Sequence, residues 1–184
     1  MQETFFCQVL FLLLHFEFDF MQKEIATIIG QLKEAYEGEP WFGRNLKTLL
    51  SEVDKETAVT KLNGQHSILE LLYHMIVWRE FTISRLTTSE KDLSYFEEND
   101  WQELDHTNKN LWQEGLQKLE ATQTELIRLL QEQDDSILTR TVNERKYDFS
   151  KLLYGIIQHD IYHLGQIAFV TKAASRSPVG ERRS

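Results

Sequence analysis

The stretch Ile156-Ile-Gln-His-Asp-Ile-Tyr-His-Leu-Gly-Gln-Ile-Ala168 decides how the rest of the chain is read. It holds no proline, and its apolar residues recur at helical spacing. Leu152, Ile156, His159, His163, Ile167 and Val170 follow one another at steps of 4, 3, 4, 4 and 3, the stripe by which a helix faces a core. Two imidazoles therefore occupy positions where leucine is expected, one helical turn apart on one face. Gln166 lies one turn beyond His163, near the same face. A buried imidazole needs partners for both ring nitrogens. Ordinary neighbours can supply them, and so can a metal ion. On the spacing of His159 and His163 both readings stand open, and a third ligand elsewhere would separate them.

Composition narrows the setting. A chain of 184 residues is long enough for one domain with a substantial core. Two prolines and eight glycines are few for an all-β protein, and the abundance of Leu, Glu, Gln, Lys and Ile favours helix. The net charge of -9 weighs against nonspecific binding to nucleic acid or to anionic membranes, so neither is expected as a partner. Cys7 is the only cysteine, which excludes an intramolecular disulfide and a thiolate metal cluster and fits a reducing cytoplasm. Residues 1–20 differ from the rest. Their apolar run is too short to span a membrane and lacks the basic start and small-residue cleavage site of a signal peptide. Two accounts of them stand: the natural start is Met21, or residues 1–20 form a poorly ordered extension. The domain then covers 21–174, and 175–184 is a polar tail expected to be disordered.

Four long helices follow from the periodicity. The first runs from about Gln22 to Tyr36 on Ile25, Ile28, Ile29, Leu32 and Ala35, and ends at Gly38 and Pro40. A connector with a short helix around Leu46, Leu49 and Leu50 leads to a turn at Asn63-Gly64. The second opens on Ser67-Ile-Leu-Glu70, a capping box in which the hydroxyl and the carboxylate each take a free backbone N–H. It is the most apolar helix, with Leu71, His74, Trp78 and Phe81 on one stripe and Arg79, Glu80 and Arg85 marking where it meets water. Residues 87–106 read as a long acidic loop with anchoring aromatics, either covering a site or simply solvated. The third helix spans about Asn108 to Gln133. Residues 138–149 form a partly extended connector whose Arg140, Arg145 and Lys146 are either solvated or at the mouth of a site. The fourth runs from about Ser150 to Ala174, where Gly155 and Gly165 would let a neighbouring helix approach closely.

His74 supplies the third ligand. Bundles build metal sites from side chains on facing helices, and three neutral imidazoles would hold a divalent ion with positions left open. Zn suits this set, with Ni, Co, Fe or Mn as substitutes. His15, His66 and His106 fall outside the stripes, and His66, just before the cap, reads as surface.

The His159-Asp-Ile-Tyr-His-Leu-Gly-Gln-Ile167 segment, Gln65-His-Ser-Ile-Leu-Glu-Leu-Leu-Tyr-His74, the following Trp78-Arg79-Glu80 and the earlier Gly38-Glu-Pro-Trp41 together resemble the DinB-like (YfiT-like) metal-binding family. The resemblance covers about residues 21–174 and departs over the first 20. It implies an all-α, antiparallel four-helix bundle with a crossover connection. It implies a divalent ion, commonly Ni or Zn, held by the residues here numbered His74, His159 and His163, and a homodimer. The family includes thiol-dependent S-transferases and isomerases and metal-dependent hydrolases. The expected function is accordingly a metal-dependent enzyme acting on a small molecule. A low-molecular-weight thiol would be the cosubstrate in the transferase version, and metal-bound water the attacking group in the hydrolase version. Asp160, Tyr162 and Gln166 could support the ligands, although only Gln166 lies near their face. The alternative is a non-enzymatic bundle that binds a ligand or partner and is clipped by a structural metal.

Overall fold

The computed structural model describes residues 23–62, 64–87, 91–105, 108 and 110–176. The expectations for residues 1–20 and Met21, for His15 and His106, and for the end of the tail lie outside them. The described residues form helices α1 (Lys23–Glu37), α2 (Leu46–Ser51), α3 (Lys55–Val59), α4 (Ile68–Leu86), α5 (Leu93–Glu98), α6 (Leu111–Gln131) and α7 (Phe149–Arg176), with a 3-10 turn at Asp135–Thr139 before α7. No strand occurs among them; Thr141 and Asp148 make one isolated antiparallel bridge. No helix among them is long and apolar enough to cross a membrane.

The long helices α1, α4, α6 and α7 carry the fold, and side-chain contacts along their lengths give their directions. Asp135, just past the end of α6, accepts the Glu24 and Ile25 backbone N–H groups at 3.0 and 2.9 Å, capping the start of α1. Midway, Gln123 of α6 donates to the Leu32 carbonyl of α1 at 3.2 Å, so α1 and α6 run antiparallel. Helices α4 and α6 run parallel: the Tyr73 hydroxyl donates to the Leu111 carbonyl at 3.1 Å, and Arg79 donates to Gln123 further along both. Helices α4 and α7 run antiparallel, with His74 against His163 at one level and Phe81 and Thr82 beside Leu152 at the other. Tyr154 donates to Glu24 near the starts of α7 and α1, while Tyr36 and Ile167 share the apolar cluster at the other end, so that pair is parallel. Because α4 and α6 point the same way, the 87–110 connection must cross the length of the bundle. Along that crossing it forms α5, where a pure loop was expected. Phe96 is the reason: its ring is fully buried, edge-on to Phe81. The 138–149 connector, expected to be partly extended, begins in the 3-10 turn, and Arg145 folds back over the Trp78 and Phe81 rings.

Two expectations about α4 and α7 are corrected. Arg79 does not mark an exit to water; only 1 % of it is exposed. Its Nε and Nη2 donate to Asp160 Oδ2 at 3.1 and 2.6 Å and its Nη1 donates to Gln123 Oε1 at 2.7 Å, while Tyr36 lies under the guanidinium. Burial pushes the Asp160 carboxyl up and Arg79 pulls it back; the guanidinium cannot shed its charge, so it needs the carboxylate. This polar layer ties all four long helices where the core changes from one apolar cluster to the other. Along α7 the buried members of one end at Ile157 and those of the other begin at Leu164.

The second correction concerns glycine. A Cβ at Gly155 or Gly165 would meet nothing within 4 Å, so neither admits a neighbouring helix. Gly115 of α6 does: its Cβ would sit 2.8 Å from Leu72 Cδ2 and 3.1 Å from Tyr73 Cε2. Both neighbours are buried and cannot yield freely. Gly115→Val should therefore cost about 1–3 kcal/mol in urea unfolding through overpacking. Gly30→Ala, on an exposed turn of α1 with open space around it, should gain roughly 0.5–1 kcal/mol. Equal effects at the two glycines would refute the close α4–α6 contact.

Candidate metal centre

Local structure places the first imidazole. The Ser67 hydroxyl accepts the Glu70 N–H at 3.2 Å and Glu70 Oε2 accepts the Ser67 N–H at 2.8 Å, so the predicted capping box starts α4. His74 follows one turn after Glu70, on the face turned to α7. His159 and His163 meet it from the α7 stripe. His159 Nε2 lies 2.9 Å from His74 Nε2 and 3.1 Å from His163 Nε2. The ligand atoms of all three lie within 4.8 Å of one another. Two nitrogens bound to one ion at about 2.1 Å sit roughly 3.0–3.4 Å apart, so these separations suit a shared divalent ion.

The outer nitrogens decide what the inner ones offer. His163 Nδ1 faces Gln166 Oε1 at 2.6 Å and donates its proton there. That leaves the His163 Nε2 as a lone pair. His74 Nδ1 lies 2.6 Å from Asp100 Oδ1, off the line of a straight hydrogen bond but in direct contact with the carboxylate. The negative charge favours the proton on that nitrogen, so His74 Nε2 is also a lone pair. His159 can donate one proton between them, and its Nδ1 is buried without a partner. Two lone pairs and one ambivalent nitrogen thus converge within hydrogen-bond reach. A divalent cation satisfies that set as one proton cannot, and the residues fit such an ion.

Asp100 and Trp101 come from the crossover segment, expected as a loop that either covers a site or is solvated. Asp100 Oδ1 also accepts the Trp78 indole N–H at 2.7 Å, which fixes the carboxylate. Trp101 stacks on His74 at 3.9 Å and, with its other face, on His66 at 3.8 Å. His66 is half exposed and holds no ligand position, as expected. Gln166 lies beside His163 as expected, but its oxygen serves Nδ1 and is not a fourth ligand. Its amide nitrogen donates to the Tyr162 hydroxyl at 3.3 Å. Tyr162 and Asp160, both expected off the ligand face, diverge: Tyr162 is edge-on to His163 on a cleft wall, and Asp160 is buried in the Arg79 layer.

Two clefts flank the imidazoles in the α4–α7 groove. One, of about 470 Å³, is walled by His163, Trp101, Tyr162, Gln166 and Phe169. The other, of about 230 Å³, is walled by His159, Trp78, Phe81, Ile156 and Tyr147.

Burial holds all three imidazoles below the ordinary histidine range, and His159 is pushed down to about 3 because the other two imidazoles and the Arg79 charge add to its desolvation. A histidine depressed in the folded state stabilises above its unfolded value near 6.5 and loses that contribution as pH falls towards the folded value. The metal-free protein should therefore lose thermal stability between about pH 6.5 and 4.5, before carboxylates titrate. His159→Leu should flatten that slope, and an unchanged slope would contradict the burial of the ring.

The profile of the DinB superfamily matches residues 41–167. The chain belongs to the DinB superfamily. The match includes His74, His159 and His163, so this DinB-superfamily chain gathers its imidazoles within the shared region. Neither the curated proteins nor the solved structures yield a match.

Proposed function

We propose that this DinB-superfamily protein binds a divalent metal through His74, His159 and His163 and is a metal-dependent enzyme acting on a small molecule. The observation that carries this reading is the convergence of Nε2 lone pairs whose Nδ1 partners are Gln166 and Asp100. Imidazole donors favour Zn or Ni, with Fe, Co or Mn as weaker candidates. No fourth His, Cys, Asp or Glu joins the cluster among the described residues, and Gln166 is turned to His163, which supports an open site over a closed structural one. When bound, the ion would lower the pKa of a ligand held at an open position, a thiol or a water. The chain's own groups keep the imidazoles neutral and oriented, cover one face of His74 with Trp101, and offer the Tyr162 hydroxyl to the larger cleft. In the transferase version the thiol proton leaves to solvent. The sulfur lone pair forms a C–S bond, and the leaving group departs with the electrons of the bond that breaks. In the hydrolase version water takes the place of the thiol.

Elemental analysis of protein purified without a His-tag tests the centre, with about one divalent ion per chain expected. Co-substituted protein tests its openness: azide or a thiol should change the visible spectrum, and a silent spectrum would favour the non-enzymatic alternative with a structural metal. Sedimentation measures whether the chain forms the homodimer that the family resemblance implies.

A further inference from the structure

The smaller cleft, about 230 Å³, has a shape and a charge that the metal centre does not use. Its α7 wall runs from Lys151 past Gly155 to His159, eight residues of helix and roughly 12 Å of rise. Its α4 wall is shorter, from Trp78 to Thr82. So small a volume over that length makes a narrow slot lying along α7.

The body of the slot is apolar, built by Trp78, Phe81, Leu152 and Ile156. Two of its polar groups are already spent: the Trp78 indole N–H goes to Asp100 at 2.7 Å and the Thr82 hydroxyl to the Trp78 carbonyl at 3.0 Å. The His159 ring closes one end, its Nε2 turned to His74 and His163. Lys151 stands exposed at the other. Its backbone N–H is given to Asp148 at 2.9 Å, but its ammonium pairs with no carboxylate among the described residues and lies 5.6 Å from the centroid of the Tyr147 ring, another wall of the slot. A second cation, Arg145, lies over the Trp78 and Phe81 rings, and its ion pair to Glu97 is a long 3.7 Å. In a chain of net charge -9 an anion is drawn in only by such local cations.

We infer that the slot binds a medium-chain, unbranched monocarboxylate, its carboxylate at Lys151 and its chain lying along α7 towards His159. Apolar sites orient their ligands by a few polar groups at defined places, and Lys151 has that part here. The walls take the chain and offer no free charge along it, which disfavours a second anionic group near His159. The inference goes beyond the proposed metal centre: no ion is needed to build the slot, and the ligand class is read from the slot alone.

The test is calorimetric titration of the full chain with butanoate, hexanoate and octanoate, and with octanol as the uncharged probe. Affinity should rise roughly threefold per added methylene, since each is taken out of water. Lys151→Glu should weaken octanoate at least tenfold and leave octanol within twofold. Lys146→Glu, an exposed lysine off the slot, should leave both within twofold. A Cβ at Gly155 meets nothing within 4 Å, so Gly155→Trp fills the slot without shifting backbone and should weaken octanoate and octanol alike, at least tenfold. Circular dichroism melting shows that each variant is folded. No binding of octanoate to the unmodified protein, an affinity indifferent to chain length, or equal effects of Lys151→Glu and Lys146→Glu would overturn the inference. Metal content measured on the same samples keeps the two readings apart. Octanoate bound by protein that takes up no ion sinks the proposed centre and leaves the slot standing, and one ion per chain without octanoate does the reverse.

Discussion

His159→Ala should empty the protein of bound metal while leaving it folded. His159 Nε2 is the middle nitrogen, about 3 Å from both others, so removing it leaves two imidazoles with no common third donor. Loss of an outer partner of a ligating histidine typically costs about 10–100-fold in affinity, and loss of the ligand itself should exceed that. Asp100→Asn supplies the comparison: it keeps the shape beside His74 Nδ1 and removes the charge, and should weaken metal binding within that roughly 10–100-fold range. Folding should survive in His159→Ala because the ring it deletes has a buried Nδ1 with no partner and resists protonation. Elemental analysis after dialysis, beside circular dichroism melting, reads both effects. Metal retained at one ion per chain in His159→Ala would remove this residue from the centre.

The second large effect belongs to Arg79. Arg79→Met would leave the Asp160 carboxylate and the Gln123 amide oxygen buried without their partner. Breaking one side of a buried pair costs about 3–5 kcal/mol. In a chain of this size each kcal/mol shifts the melting temperature by about 2–4 °C, so a fall of roughly 6–20 °C is expected. The double variant Arg79→Met/Asp160→Leu should recover most of the loss, since a well-packed apolar replacement of a buried pair is often neutral or better. A fall of under about 2 °C in the single variant would show that the pair is dispensable. Metal content in the same variants separates stability from positioning. Asp160 adjoins His159 in sequence, so a loss of metal without a loss of melting temperature would make the Arg79 layer a support of the centre.

Much of this was legible in the sequence because it depends on relations within one or two helical turns. The stripe through Leu152, Ile156, His159, His163, Ile167 and Val170 is a matter of 3.6-residue periodicity, and the Ser67–Glu70 capping box is a contact between neighbours. Those relations fixed the long helices, their buried faces and the three imidazoles that share a core. The Gly-Gln after His163 pointed to the amide that now fixes the Nδ1 proton of that ring.

What only the tertiary structure decided are the pairings across long separations. Arg79 and Asp160 are 81 residues apart, and Gln123 reaches a carbonyl 91 residues away. No local pattern separates a buried arginine with partners from one that ends an apolar face, so Arg79 read as an exit to water. Asp100 and Trp101 sat in an acidic stretch without periodicity, where its few aromatics gave the only hint of anchoring, and the crossover course of that stretch carried them onto His74. The parallel pairing of α4 with α6, the close approach at Gly115 and the open space at Gly155 and Gly165 likewise depend on which faces meet. Periodicity states that a face is buried; packing alone states against what, and here that difference placed two glycines expected between helices on the walls of two clefts.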